Sequence, residues 1–170
     1  MKSKKNLVLV GMMASGKSTI GHLISKKLNI NFVDIDTVIE KKMKMKISEI
    51  FKKKGENFFR KLEEETTIKF LKSCDNVISL GGGGFLNEKI RKEVVSNHLS
   101  FWLNWDSKTL LNRIRRNKNR PVAIKLSDTE INKLISNRSK IYSKANFEIN
   151  CNKQTKDEVT EKILKIYAKH

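Results

Sequence analysis

Proline occurs once and glycine eight times in 170 residues, which excludes long disordered tracts of the proline- and glycine-rich kind. Cysteine occurs twice, at Cys74 and Cys151, far apart and in no C-x-x-C pair. The three histidines show no ligand spacing, so a structural metal site is excluded and two ordinary reduced thiols are expected. No apolar run is long enough to span a bilayer. The basic start, Met1 to Lys5, leads into an apolar stretch too short for a signal-peptide core. The expectation is a soluble cytoplasmic protein with no membrane partner. Aromatic residues are only 7% of the chain, too few to interleave with cations as single-strand nucleic-acid sites require. Acidic residues are also short: 18 Asp and Glu against 36 Lys and Arg give a net charge of +18. That excess is mostly lysine, spread along the whole chain, and suits anionic ligands. Without a recognition motif it predicts no nucleic-acid partner.

What is present is an alternation. Hydrophobic residues make up 38%, enough for one core in one domain, 1–170. Residues 6–10 form an apolar run ending at Gly11, a buried strand feeding a loop. Ile20, Leu23, Ile24 and Leu28 then recur at helical spacing. Phe32 to Asp36 reads as a second strand with acids at its end, and 37–72 as helix with one break near Gly55. Further strands are expected at Asn76–Leu80, Leu99–Leu103 and Asn146–Asn150. Further helices are expected at 87–96, 106–116, 128–144 and 155–168. Residues 117–127 read as a polar, mobile connection. Strands alternating with helices imply right-handed crossovers and a parallel sheet covered on both faces.

Gly11, Gly16, Lys17 and Ser18 meet the pattern G-x-x-x-x-G-K-[ST] between that strand and that helix. A loop that wraps a phosphate must turn its N–H groups inward, which glycine permits without a Cβ clash. The helix starting at Lys17 aims its positive end at the same anion. Lys17 can reach the β and γ oxygens, and the Ser18 hydroxyl can ligate Mg²⁺. The pattern marks an ATP-dependent phosphotransferase. Gly21, inside the helix, costs about 1 kcal/mol against alanine, which close packing against a neighbour would explain.

Asp34 and Asp36 flank Ile35. Two apart on a strand, both carboxylates would project from its carboxyl end, where open α/β sheets place ligands. One can hold a water on Mg²⁺ and the other can draw off an acceptor proton. Capping of the next helix explains the pair equally well.

Arginines are few among these cations, and each can mark a need for a planar, bidentate donor: Arg60, Arg91, Arg113, Arg115, Arg116, Arg120 and Arg138. Arg91 and Arg115 read better as solvated surface charge. At this point the chain resembles the shikimate kinase family over nearly its whole length, Leu7 to about Asn150. The motifs, in order, are the loop at 11–21, Phe32–Asp36, Ile47–Phe51, Gly55–Arg60, the glycines at 81–84, Arg120-Pro121 and Arg138–Tyr142.

The resemblance implies a three-layer α/β/α fold of the nucleoside-monophosphate-kinase type, with five parallel strands and a mobile lid at about 113–127. It implies a substrate-binding helical segment at about 36–62. The reaction it implies is transfer of the γ-phosphate of ATP to the 3-hydroxyl of shikimate, with Mg²⁺, by a monomer. By that resemblance Gly11, Ala14, Ser15, Gly16, Lys17, Ser18 and Thr19 hold the nucleotide, and Arg113 lies near the adenine. Ser18 and Asp34 serve the metal, Asp34 through water. Asp36 contacts the acceptor hydroxyls as candidate base. Arg60, Arg138 and the N–H groups of Gly81, Gly82 and Gly83 line the acceptor pocket. Arg120 closes onto the phosphates, so Lys17, Asp36 and Arg120 are the catalytic set. The chain departs from the family at Val122-Ala123, where two leucines are usual, and in having a fourth glycine at 84. Another small-metabolite kinase of this fold and a nucleic-acid-binding ATPase are the competing readings. An Arg-rich pocket with one acid suits a hydroxylated carboxylate better than a second nucleotide.

Overall fold

The computed structural model describes residues 5–116 and 126–170. The chain runs β1 (Leu7–Val10), α1 (Lys17–Leu28), β2 (Asn31–Asp34), α2 (Ile35–Met43), α3 (Ile47–Lys54) and α4 (Glu56–Leu71). It continues with β3 (Asn76–Ser79), a 3-10 turn at Gly84–Leu86, α5 (Glu88–Asn97), β4 (Leu99–Asn104) and α6 (Ser107–Arg116). After the undescribed stretch come α7 (Asp128–Tyr142), β5 (Phe147–Asn150) and α8 (Lys156–Tyr167). Most of the expected connection at 117–127, with Arg120 and Val122-Ala123, lies outside the described residues.

The strands form one sheet in the order β2-β3-β1-β4-β5, and every neighbouring pair is parallel. Successive strand residues face opposite sides. Val8 and Val10 therefore enter one core, under α2 to α7, with Ile35, Ile78 and Tyr142. Leu7 and Leu9 enter the other with Ile20, Ile24, Val159 and Ile163 of α1 and α8. All four β1 residues are fully buried, as a central strand covered on both faces should be. The helix Cβ that Gly21 lacks would collide with the Phe32 ring, so the close packing expected there is present.

Two expectations fail between residues 32 and 54. The second strand stops at Asp34, and Ile35 and Asp36 open a helix instead. Asp34 keeps an extended backbone while its Oδ1 accepts from the Thr37 N–H at 3.2 Å, so it is the N-cap. The same-face argument for Asp34 and Asp36 therefore does not hold. Helix 37–72 has two breaks. Besides Gly55, whose φ of 83° needs glycine, the chain turns at 44–46, with Lys44 left-handed at φ 51°. No glycine or proline marks that turn. Glu40 accepts from Ile47 N–H and Glu49 from Lys46 N–H, each at 3.0 Å, and these carboxylates satisfy donors a continuous helix would bond internally.

His98 lies at the opposite end of the sheet from the strand ends that face the phosphate loop. Its Nδ1 accepts from the Asn6 N–H at 3.4 Å, and its buried Nε2 has no hydrogen-bond partner among the described residues. Burial holds its pKa below 6.5, aided by Lys5 and opposed by Glu93. The unfolded chain thus takes up a proton near pH 6.5 that the folded chain refuses. Stability contributed by neutral His98 is complete above that pH and falls as pH drops toward the folded pKa. Thermal melts at about pH 7.5 and about pH 5.5 should show a drop in Tm that His98→Gln reduces. An equal drop in the variant would remove His98 as its source.

Candidate active site

The turn after β1 brings three left-handed or glycine-only conformations into one loop: Gly11 at φ 149°, Ala14 at 62° and Gly16 at 92°. A Cβ on Gly11 would press on the Leu103 carbonyl at 3.2 Å. α1 begins at Lys17 with no acid in its first turn, so its positive end is left for an anion. Lys17 is 9% exposed and its Nζ donates to the Gly11 and Met12 carbonyls at 2.8 and 2.9 Å. Ser15 N–H closes the loop onto Met12 O at 3.2 Å. Ser18 and Thr19 are exposed on the first turn of α1.

The Ser18 hydroxyl donates to Asp34 Oδ2 at 2.7 Å. Asp34, read both as helix cap and as metal ligand, has one oxygen on Thr37 and the other on Ser18. A hydroxyl and a carboxylate are the hard oxygen donors Mg²⁺ takes, with phosphate and water completing its shell, so the pair fits that ion. No group of three or more His, Cys, Asp or Glu that could hold a metal occurs among the described residues.

Across from the loop, the chain leaves β3 into Gly81–Gly84. Side chains crowd this turn most closely at Gly81 and Gly83. A Cβ on Gly81 would stand 2.5 Å from Asp36 Oδ1 and 2.7 Å from Glu63 Oε1, and one on Gly83 would run into the Arg60 guanidinium. Gly82 faces the phosphate loop, its Cβ position 3.4 Å from Met13 N. Gly84 N–H is committed to Gly81 O at 3.0 Å, whereas those of Gly82 and Gly83 meet no acceptor among the described residues. Arg138, from α7, donates from Nη1 to Gly82 O at 3.3 Å and lies 3.9 Å from Met12 Sδ. Its buried Nε has no partner among the described residues. Asp36, Arg60, Gly81 to Gly83 and Arg138, taken from four distant segments, thus meet at one turn beside the phosphate loop.

Glu63 belongs there too and was not expected from the sequence. Its side chain is 2% exposed, and its Oε2 accepts from Arg60 Nη1 at 2.8 Å. Its Oε1 has no partner among the described residues. Burial pushes its pKa up, Arg60 and Arg138 pull it down, and Asp36 adds to the rise. The available signal was position: Glu63 lies on the same helix stripe as the buried Phe59, Leu62, Thr66 and Thr67. Arg60 also reaches Glu56 at 3.3 Å and lies over the rings of Phe51 and Phe59.

Arg113 lies 3.7 Å from the centroid of Trp105, whose Nε1 donates to Ser15 O of the phosphate loop at 2.9 Å. Together with Gly16, Thr19 and Gln154 they line a cavity of about 220 Å³. An arginine plane backed by an indole suits a flat heterocycle. Trp105 was another residue the sequence did not single out. Arg115 is exposed, as a solvated surface charge should be, and Arg91 is half-buried; both make hydrogen bonds. Arg91 donates to the Phe85 and Leu86 carbonyls at 3.0 and 2.9 Å, and Arg115 forks onto Asp128 at 2.8 and 2.6 Å. Arg120 lies outside the described residues.

The sequence pattern of the shikimate kinase family matches residues 13–168. The chain is 39% identical over 160 residues to a shikimate kinase of Sulfurihydrogenibium sp., covering 94% of this chain and 96% of that one. Among solved structures it is similar to shikimate kinase from Acinetobacter baumannii in complex with shikimate. That likeness has a TM-score of 0.90 and 27% identity, over 99% of this chain and 95% of that one. Shikimate kinase from Aquifex aeolicus gives 0.86 and 37%, over 96% of each chain.

Proposed function

We propose how the residues of this chain divide the work of the shikimate kinase family, to which the chain belongs. The reaction transfers the γ-phosphate of ATP to the 3-hydroxyl of shikimate, giving ADP and shikimate 3-phosphate, on a nucleoside-monophosphate-kinase-like fold.

The observation that carries the division is the contact between the two holders. The glycine turn lies against Met13 N of the phosphate loop, and Arg138 reaches from Gly82 O toward Met12. Phosphoryl transfer needs mainly positioning and charge neutralisation, and adjacent holders supply the first. The loop from Gly11 to Thr19 binds the phosphates, with Lys17 as their cation. Arg113 on Trp105 takes the base. Ser18 and Asp34 would hold Mg²⁺, which when bound neutralises charge on the β and γ oxygens. Arg60 and Arg138 bind the shikimate carboxylate, and Glu63 fixes the Arg60 fork. Asp36 orients the 3-hydroxyl and accepts its proton. Arg120 closes over the phosphates from a lid at about 113–127, and 36–62 forms the acceptor side. The unit is a single cytoplasmic domain, 1–170, acting as a monomer with small molecules alone as partners.

Coupled ADP release should be measured on shikimate, gluconate and nucleoside monophosphates, each with and without a chelator. Turnover is expected with shikimate alone and only without chelator. Shikimate-independent ADP release, or turnover indifferent to the chelator, would count against the acceptor and metal roles respectively.

A further inference from the structure

Tyr142 grips the acceptor turn from inside the core. It is 1% exposed, packed near Trp102 with ring centroids 6.4 Å apart, and its hydroxyl donates to Gly82 O. Arg138, one helical turn earlier on α7, donates to the same carbonyl at 3.3 Å. Burial pushes the Tyr142 phenol up, so it stays a donor at any working pH. The peptide between Gly82 and Gly83 is trans, so its C=O and N–H point in opposite directions. Fixing the oxygen on the core side therefore fixes the Gly83 N–H on the other side. That N–H has no acceptor among the described residues, and Gly83 lies directly against Arg60. A glycine turn without such a clamp can rotate this peptide freely, because no Cβ restrains it.

We propose that Tyr142 is a positioning residue of the acceptor pocket. Its hydroxyl shares the Gly82 carbonyl with Arg138, and so presents the Gly83 N–H beside Arg60 and holds the Arg138 fork in register for the acid substrate. This rests on the acceptor pocket assigned above. Tyr142 touches no substrate; it acts through the peptide and the arginine.

The test is steady-state kinetics of wild type, Tyr142→Phe and the packing control Trp102→Phe, with Tm for each. Tyr142→Phe removes one oxygen and is expected to raise the shikimate KM about tenfold, the size of one lost hydrogen bond. The ATP KM should stay within about twofold, since no nucleotide contact changes. Trp102→Phe loosens the packing around the same ring, keeps the hydroxyl, and should leave the shikimate KM unchanged whatever its Tm. An unchanged shikimate KM in Tyr142→Phe overturns the proposal. So does a rise in both substrates' KM, or an equal rise in the two variants, since each would mark loosened packing. A wild-type enzyme inactive on shikimate would instead overturn the acceptor assignment, so the two failures are distinguishable.

Discussion

Asp36→Asn is expected to lower kcat by about 10²- to 10⁴-fold, the usual size of a lost general base. The substitution keeps shape and an acceptor oxygen but cannot carry off the 3-hydroxyl proton. Asp36 is placed for that task by the first turn of α2, which sets its Oδ1 against the Gly81 backbone. Shikimate should still bind, so its KM should move by less than about tenfold, because the hydrogen bond to the hydroxyl survives. The negative charge on Asp36 disfavours ionised Glu63, and removing it relieves that repulsion. The measurement is kcat at saturating substrates with a melt alongside. A kcat near wild type would assign Asp36 to binding only, with the proton lost to the transferred phosphoryl group.

Arg138→Ala should lower kcat/KM for shikimate by about 10²- to 10³-fold, as expected for one partner of a partly buried charge pair. Its Nη1 is already held by Gly82 O and its buried Nε has no partner among the described residues, so the guanidinium is oriented before any carboxylate arrives. ATP KM should stay within about threefold, because no phosphate contact is assigned to it. Arg138→Lys should rescue little, since an ammonium cannot span a carboxylate as a fork. Isothermal titration of each substrate checks the split. A matching loss of nucleotide affinity would count against the role, and the Met12 contact would be the place to look for its cause.

The parallel sheet and the phosphate loop were legible because their signals are local. An apolar run, a glycine and a helical stripe each lie within a few turns of chain. The acceptor side was legible only through its resemblance to a family, because Asp36, Arg60, Gly81 and Arg138 meet across four segments that no period connects. Glu63 was hidden by its neighbour: an acid three residues after an arginine reads as a surface ion pair, yet here that pair is half inside. The strand to Asp36 was overdrawn because apolar alternation does not reveal that the Asp34 carboxylate will end it. The turn at 44–46 was missed for the same reason, since Glu40 and Glu49 make it with side chains that propensity counts as helix formers.

β1 and β3 are hydrogen-bonded neighbours, with Leu9 opposite Ser79, and the phosphate loop follows one while the glycine turn follows the other. The two holders therefore rise from strands a single inter-strand step apart, about 4.8 Å. Backbone ladders are the least adjustable ruler a protein has. Everything between Gly11 and Gly81 is a detour that returns to the same mark. If the segment 36–62 forms the acceptor side as proposed, residues inserted or lost at the turn between α2 and α3 should reshape that side and leave the β1–β3 spacing untouched. A lineage could therefore retailor which acid it accepts without recalibrating the transfer itself.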